Sequence, residues 1–410
     1  MKVYILTTAR FPYGMAETRR VICYSKGLIE NNYECEVIVA RKISKYDRKF
    51  GNNLNKGEFQ SIEYTYVPGV YHESNYRFLN SILFRLEKIR NYKWIYKYLK
   101  KKSKRNQIII SYYSDTLLGL IIIYLCRKYK LLNIKELCEI PYINRSLYAT
   151  INRYIDFKFV FPFMDGFFVI SEQLKIIAEK YKSKKAFILK VPIMINTKDY
   201  INKFALSAQG KNSAISDPYI IHTGTFTETK DGMMGIIKAF KLAIQKIPFD
   251  IKLVITGDAK NSKIYPGFIS YIKENSIESK IVFTGIIPMA ELDEYLENAS
   301  LAIINKYDNF QNRYCFSTKL AEYLAYGIAV ITTDIGEANN YLVNNYNAYI
   351  VKNNSEEDLA NAIIEAFCNE KKRLLISRHG FMLAKNVFNY SVQGKNISKL
   401  LTEVMSTKKA

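Results

Sequence analysis

Two short stretches set cationic, hydroxylic and acidic side chains where an anion or a sugar would meet them. "HTGTFTETKDG" (His222 to Gly232) reads as a strand end, a polar loop and a helix start, with Lys230 where the loop meets the helix. Helix amino termini offer free backbone N–H groups and a partial positive charge, so a phosphate seated there gains the helix end and the ammonium together. A solvated surface lysine is the competing reading; the short loop between Gly224 and Gly232, following a buried-type strand, weighs against it. "NRYCFSTKLAEYLAYGIAVITTDIG" (Asn312 to Gly336) opens with an aromatic, hydroxyl and lysine cluster, then sets Glu322 into an otherwise apolar helix. Two readings fit Glu322. It is either an acid near a helix start, favoured by the dipole by about 0.3–1 kcal/mol, or a carboxylate accepting two sugar hydroxyls, as acidic residues do for ribose in dinucleotide folds.

Such residues need a scaffold that delivers strand ends to one place. In the first half of the chain, apolar runs at 2–8, 35–40, 107–113, 134–138, 166–171 and 186–191 alternate with helical patterns. The pattern lapses into a polar stretch and resumes with runs at 219–224, 251–257, 280–285, 301–305, 328–333 and 348–351. This alternation predicts α/β architecture: two doubly wound domains in tandem, residues 1–197 and 218–385, joined by a linker over 198–217. In such sheets ligands bind beyond the carboxyl ends of the strands. Three strands of the second domain end in glycine (Gly224, Gly257 and Gly285), which suits close backbone approach to a ligand and equally suits ordinary turn chemistry.

Composition narrows the classes. With 410 residues, 49% of them hydrophobic and 24% charged, the chain is a folded globular protein large enough for two cores. Its six cysteines are scattered, without a C-x-x-C or a nearby histidine pair, so neither zinc nor a disulfide framework is indicated and a reducing cytoplasm fits. The amino terminus lacks a signal-peptide run, and no later stretch reaches membrane-spanning length. A net charge of +22 is explained either by compositional drift or by an anionic partner. Nucleic acid is disfavoured because no base-reading module is present and the basic residues are spread along the chain. From 76 to 105, aromatic and aliphatic residues recur at helical spacing among Arg and Lys. That is the pattern of a helix packed on its own sheet with a basic back, or of one lying on an anionic bilayer.

"FSTKLAEYLAYGIAVITTDIGEANNYL" is similar to the donor-site signature of family 4 glycosyltransferases, retaining enzymes with the GT-B fold of two Rossmann-like domains facing across a cleft. "HTGTFTETKDGMMGIIKAFKLA" resembles their G-x-x-x-x-x-K-x-G loop, and "GFFVISEQLKIIAEKY" the end of their first domain. The resemblance implies that Glu322, second glutamate of an E-x7-E pair, holds the nucleotide ribose. The first position, which holds the transferred sugar, falls on Tyr314, a departure that exchanges a charge for a hydroxyl. Lys230 matches the lysine on the donor diphosphate, while the arginine position falls on Thr225, with Lys319 or Arg313 as replacements. Phe316, Ser317, Thr318 and Lys319 would line the donor, and the base would lie near Gly285 and Ile286. Gly14, in "FPYGMAETRR", keeps one glycine of a loop that lies against donor and acceptor. Glu139 stands where many relatives have a catalytic histidine, and as a lone acid after a strand it also suits a structural role. Residues 386–410 would be the terminal helix that returns to the first domain.

The function so implied is retaining transfer of a sugar from a nucleotide-sugar, UDP- or GDP-linked, to a saccharide or lipid-linked saccharide during cell-surface polysaccharide synthesis. No cofactor and no metal are implied; the absence of any D-x-D agrees with this. The implied location is cytoplasmic and peripheral to the membrane. The alternatives are an inactive nucleotide-sugar binder, raised by Tyr314 and Thr225, and a GT-B nucleotide-sugar isomerase.

Overall fold

A computed structural model describes residues 1–49, 51–71, 77–141, 146–197, 200, 215–224 and 226–407. The chain divides into two compact units, Met1–Met194 with Tyr390–Ala410, and Ile195–Asn389. Most of the expected linker, 198–217, lies outside the described residues.

The first unit is built on β1 (Lys2–Thr7), β2 (Glu34–Val39), β3 (Lys56–Phe59), β4 (Ile62–Tyr66), β5 (Ile108–Tyr112), β6 (Leu132–Leu137), β7 (Gly166–Val169) and β8 (Phe187–Lys190). Their order across the sheet is β3-β4-β2-β1-β5-β6-β7-β8. All pairs are parallel except β3 with β4, which turn at Gln60 and Ser61, both at positive φ. Ile5 of β1 lies opposite Val37 of β2 and Ile110 of β5. Alternate residues feed two cores: Val3, Ile5, Val37 and Ile110 on one face, Tyr4, Leu6, Ile38 and Ile109 on the other. Both faces are covered, as a parallel sheet requires.

The terminal helix Tyr390–Thr407 packs in this unit against the helix Ala16–Ile29. The crossing is possible because two glycines meet: a Cβ on Gly394 would sit 2.5 Å from the Cα of Gly27. Tyr390 Oη donates to Glu30 at 2.6 Å and fixes the near end.

The second unit has a six-stranded parallel sheet of β9 (Tyr219–His222), β10 (Lys252–Thr256), β11 (Ile281–Gly285), β12 (Leu301–Ile304), β13 (Ala329–Thr333) and β14 (Tyr349–Val351), in the order β11-β10-β9-β12-β13-β14. The chain runs outward from β9 to β11, then returns to place β12 on the other side of β9. The point where the strand order reverses lies between β9 and β12, and the loops leaving their carboxyl ends diverge there. Both domains are doubly wound α/β sheets, the architecture expected from the alternation of apolar runs.

Gly394→Leu is expected to force the two helices of the first unit apart and lower stability by about 1–3 kcal/mol. Thermal unfolding checks this, and an unchanged melting temperature would show that the crossing is looser than the geometry requires.

Candidate functional site

At the carboxyl end of β9 stands His222, fully buried. Its Nδ1 lies 3.0 Å from the Ile303 carbonyl. A carbonyl only accepts, so Nδ1 carries the proton and Nε2 is left as an acceptor for Lys319 Nζ at 3.3 Å. Burial first, and then the neighbouring Lys319 ammonium, push the imidazole down to about 3, so the ring is neutral at physiological pH. Lys319 also pairs with Asp231 Oδ1 at 2.7 Å. Burial opposes the Asp231 charge, but Lys319 and the positive surroundings hold its carboxyl below the usual range.

These contacts tie three segments together. Asp231 ends the short helix Glu228–Asp231 that follows β9; Lys319 lies in the first turn of the helix Thr318–Ala325; Tyr323, one turn on, accepts from Thr223 N at 2.9 Å. Gly224 is at φ +121, and a Cβ there would sit 2.7 Å from Lys319 Cε. Gly257, at φ +114, would drive a Cβ to 2.0 Å from the Gly224 carbonyl oxygen. These two glycines are therefore required by the packing of loop on loop, while Gly285, at φ +72, faces open space.

Lys230 does not open a long helix. It closes the four-residue helix Glu228–Asp231, which Gly232 ends in the left-handed conformation before the helix Met233–Ile244 begins. The Met234 amide of that next helix is taken by Glu228 Oε2 at 2.9 Å, whose other oxygen accepts from Tyr307 Oη at 2.7 Å. The anion-favouring helix end expected at Lys230 is thus already occupied by a carboxylate. Lys230 itself is half-buried, and no ion pair to it occurs among the described residues.

Lys306, which the sequence reading passed over, completes the cluster. It follows β12, is only 6% exposed, and its Nζ lies 3.4 Å from the Lys230 carbonyl. Its backbone is clamped to β13, its N–H donating to Thr333 Oγ1 at 2.9 Å and its carbonyl accepting from the same hydroxyl at 3.0 Å. Asn305 Nδ2 ties the same turn to Gly232 O at 2.7 Å. The only available signal was a lysine one residue past a predicted strand, which any surface turn shares.

The remaining expected residues are distributed as follows. Glu322 is half-buried in the second turn of its helix, so the first-turn dipole explanation does not apply to it. It lies three residues after Lys319 and so shares a face with it. Ser317 is the N-cap of that helix but makes no side-chain cap, and Thr318 is its first residue. Phe316 is buried, stacked on Tyr341 at 5.3 Å and edge-on to Phe388; it packs the unit and does not line an opening. Arg313 is 62% exposed and forks onto Asp308, so it does not replace the missing arginine. Tyr314 is half-buried beside the Phe310 ring. Ile286, just beyond β11, is 80% exposed. Thr225 lies outside the described residues.

In the first unit, a Cβ on Gly14 would fall 2.1 Å from Thr18 Oγ1, so the glycine closes the loop onto its helix. Glu139 is exposed after β6, whereas Glu136, in that strand, is buried and accepts from Arg20 Nε at 2.8 Å and Tyr24 Oη at 2.5 Å.

Residues 217–369 match the family model described as glycosyl transferases group 1. This segment is similar to a group 1 glycosyl transferase domain. It contains the whole lysine cluster, Glu322 and the strand switch of the second sheet. The chain as a whole has the GT-B fold. It matches the sucrose-phosphate synthase of Thermosynechococcus elongatus at a TM-score of 0.73 and 16% identity, covering 99% of this chain and 100% of that one. It matches Anabaena HepE in complex with UDP at 0.71 and 12%, covering 98% and 100%. It also matches the lipopolysaccharide outer core galactosyltransferase WaaB at 0.64 and 14%, covering 98% and 99%. No curated protein sequence matches the chain.

Within the second unit, the neutral state of His222 has a measurable consequence. The unfolded imidazole takes up a proton near its ordinary value of 6.5, and the folded one only near 3. The folded state therefore binds fewer protons between these values, and its stability falls as pH drops, by at most about 1.4 kcal/mol per unit. The contribution is complete above the unfolded value. Urea midpoints at about pH 4 and about pH 7 should differ less in His222→Gln than in the wild type; equal differences would show that the ring is not buried as a neutral base.

Proposed function

We propose that the protein is a retaining glycosyltransferase that moves a sugar from a nucleotide-sugar, a UDP-sugar in the first instance, to a saccharide or lipid-linked saccharide of the cell surface. The observation that supports this most is the gathering of Lys230, Lys306 and Lys319 at the β9–β12 switch point of a domain that matches the glycosyl transferase model. Three lysines meet one buried carboxylate there, an environment suited to a diphosphate. The UDP bound to HepE favours the donor class, and the lipopolysaccharide outer core on which WaaB acts favours the acceptor class.

In this reading Lys230 and the uncapped start of the helix Thr318–Ala325 stabilise the charge that develops on the departing diphosphate, a preorganised electrostatic role that does not depend on a metal ion. Glu322 accepts the ribose hydroxyls, and Tyr314 contacts the transferred sugar through its hydroxyl. Gly285 leaves room for the base. Glu322→Ala and Lys230→Ala should each lower transfer by about 10²-fold or more with unchanged circular dichroism, and wild-type transfer should persist in chelator. Near-wild-type turnover in both variants would remove the site assignment. Binding of UDP-sugar without turnover in the wild type would favour the inactive binder.

We further propose that the first unit rests on an anionic membrane surface. The helix Arg77–Lys102 is split along its length. Tyr92, Ile95 and Leu99 pack on the sheet, while Leu83, Phe84, Leu86 and Ile89 are exposed. The helix Thr116–Tyr129 packed beside it exposes Leu117, Leu120 and Tyr124, and the helix Leu147–Ile155 exposes Leu147, Tyr148 and Ile151. Of the 28 exposed large apolar side chains among the described residues, 13 fall between Leu83 and Phe163. Residues 77–105, 116–130 and 147–163 hold 16 Lys and Arg against Glu87 and the buried Asp156, a net +14 of the chain's +22. A basic surface studded with aromatic and aliphatic tips suits anionic headgroups, and no helix among the described residues is long and apolar enough to cross a membrane. Co-sedimentation with phosphatidylglycerol vesicles should weaken as salt rises and weaken further in Leu120→Ser/Ile151→Ser. No binding at low salt would rule the surface out.

A further inference from the structure

Burying a charge is costly unless a partner neutralises it, and proteins rarely leave a lysine ammonium buried without a carboxylate. Lys306 is such a group. Its side chain is more than nine-tenths buried, and no salt bridge to it exists among the described residues. The nearby carboxylate, Asp231, is held by Lys319 at 2.7 Å on one oxygen and accepts from Thr227 Oγ1 at 3.2 Å on the other. The clamps on Thr333 and the Asn305 tie to Gly232 fix the Lys306 backbone next to the segment that carries Lys230, and the Lys306 ammonium donates to the Lys230 carbonyl at 3.4 Å.

Arginine is the residue that the resemblance puts at position 225, and threonine occupies it. The two obvious replacements are committed elsewhere: Arg313 to Asp308 at the surface, and Lys319 to Asp231 and His222. We propose that Lys306, reaching in from the neighbouring strand β12, is the second cation of the diphosphate site and acts with Lys230 across the β9–β12 switch point. Lys319 is a positioning residue that holds Asp231 and the β9 loop in place. This assignment rests on the nucleotide-sugar reading for the identity of the natural ligand, but it requires only that the site take a pyrophosphate group.

The test measures inorganic pyrophosphate, UDP and uridine binding by calorimetry to the full-length wild type and to Lys306→Met, which keeps the length and removes the charge. Removing one charge-assisted hydrogen bond should weaken pyrophosphate and UDP alike by roughly 10- to 100-fold while leaving uridine unchanged. Lys306→Met should also melt at a higher temperature than the wild type when unliganded, because an uncompensated buried charge has been removed; a purely structural lysine would give the opposite shift. Lys306→Arg should restore part of the lost pyrophosphate affinity. Equal pyrophosphate affinity in wild type and Lys306→Met would overturn the proposal, as would failure of the wild type to bind pyrophosphate at all. Pyrophosphate binding that depends on Lys306, in a protein that binds no nucleotide-sugar, would uphold the assignment and overturn the donor reading alone.

Discussion

The ion pair between Lys319 and Asp231 is the contact on which the second unit's candidate site depends. It joins the first residues of one helix to the loop that follows the central strand, and the neutral His222 ring supports it from below. Because the imidazole is held unprotonated, it accepts from the lysine without adding charge. The pair consumes one positive charge and the buried negative charge set beside it. What is left over is the charge of Lys230 and Lys306, on loops that leave adjacent strands at the point where their order reverses. Two ammonium groups set close together in this way suit an anionic ligand.

Two buried carboxylates of the first unit, Glu136 and Asp47, are matched by their own cations. Arg20 donates to Glu136, to the carbonyls of Val191 and Pro192 and to Tyr24, and Tyr24 donates to the other oxygen of Glu136. Asp47, fully buried, accepts a two-pronged contact from Arg41 and pairs with Arg10; burial opposes its charge, yet Arg41 and Ser44 hold the carboxyl down at about 2. Each of these carboxylates is matched by its own cation. Buried ionic groups that are satisfied in this way define local structure.

Much of the architecture was legible in the sequence because parallel strands buried on both faces read as continuous apolar runs, and every run singled out became a strand. The antiparallel β3–β4 pair was not, since its turn at Gln60 and Ser61 carries none of the Gly or Asn that usually marks positive φ. The site was legible only by residue type. Glu322 stood out because a charged residue in an apolar helix is conspicuous, and Lys319 because it belongs to the cluster that opens the same motif. Lys306 did not, because a lysine after a strand is common and its burial arises only when β12 is placed beside β9. Phe316 illustrates the reverse: it sits inside the conspicuous motif, yet its ring is held between Tyr341 and Phe388.

The most direct test of this account is an experimental structure of the protein with UDP bound. The account predicts that the phosphate oxygens lie within hydrogen-bond distance of both the Lys230 and Lys306 ammonium groups, with the ribose hydroxyls on Glu322. A diphosphate seated elsewhere, with Lys306 still buried and unpaired, would contradict it.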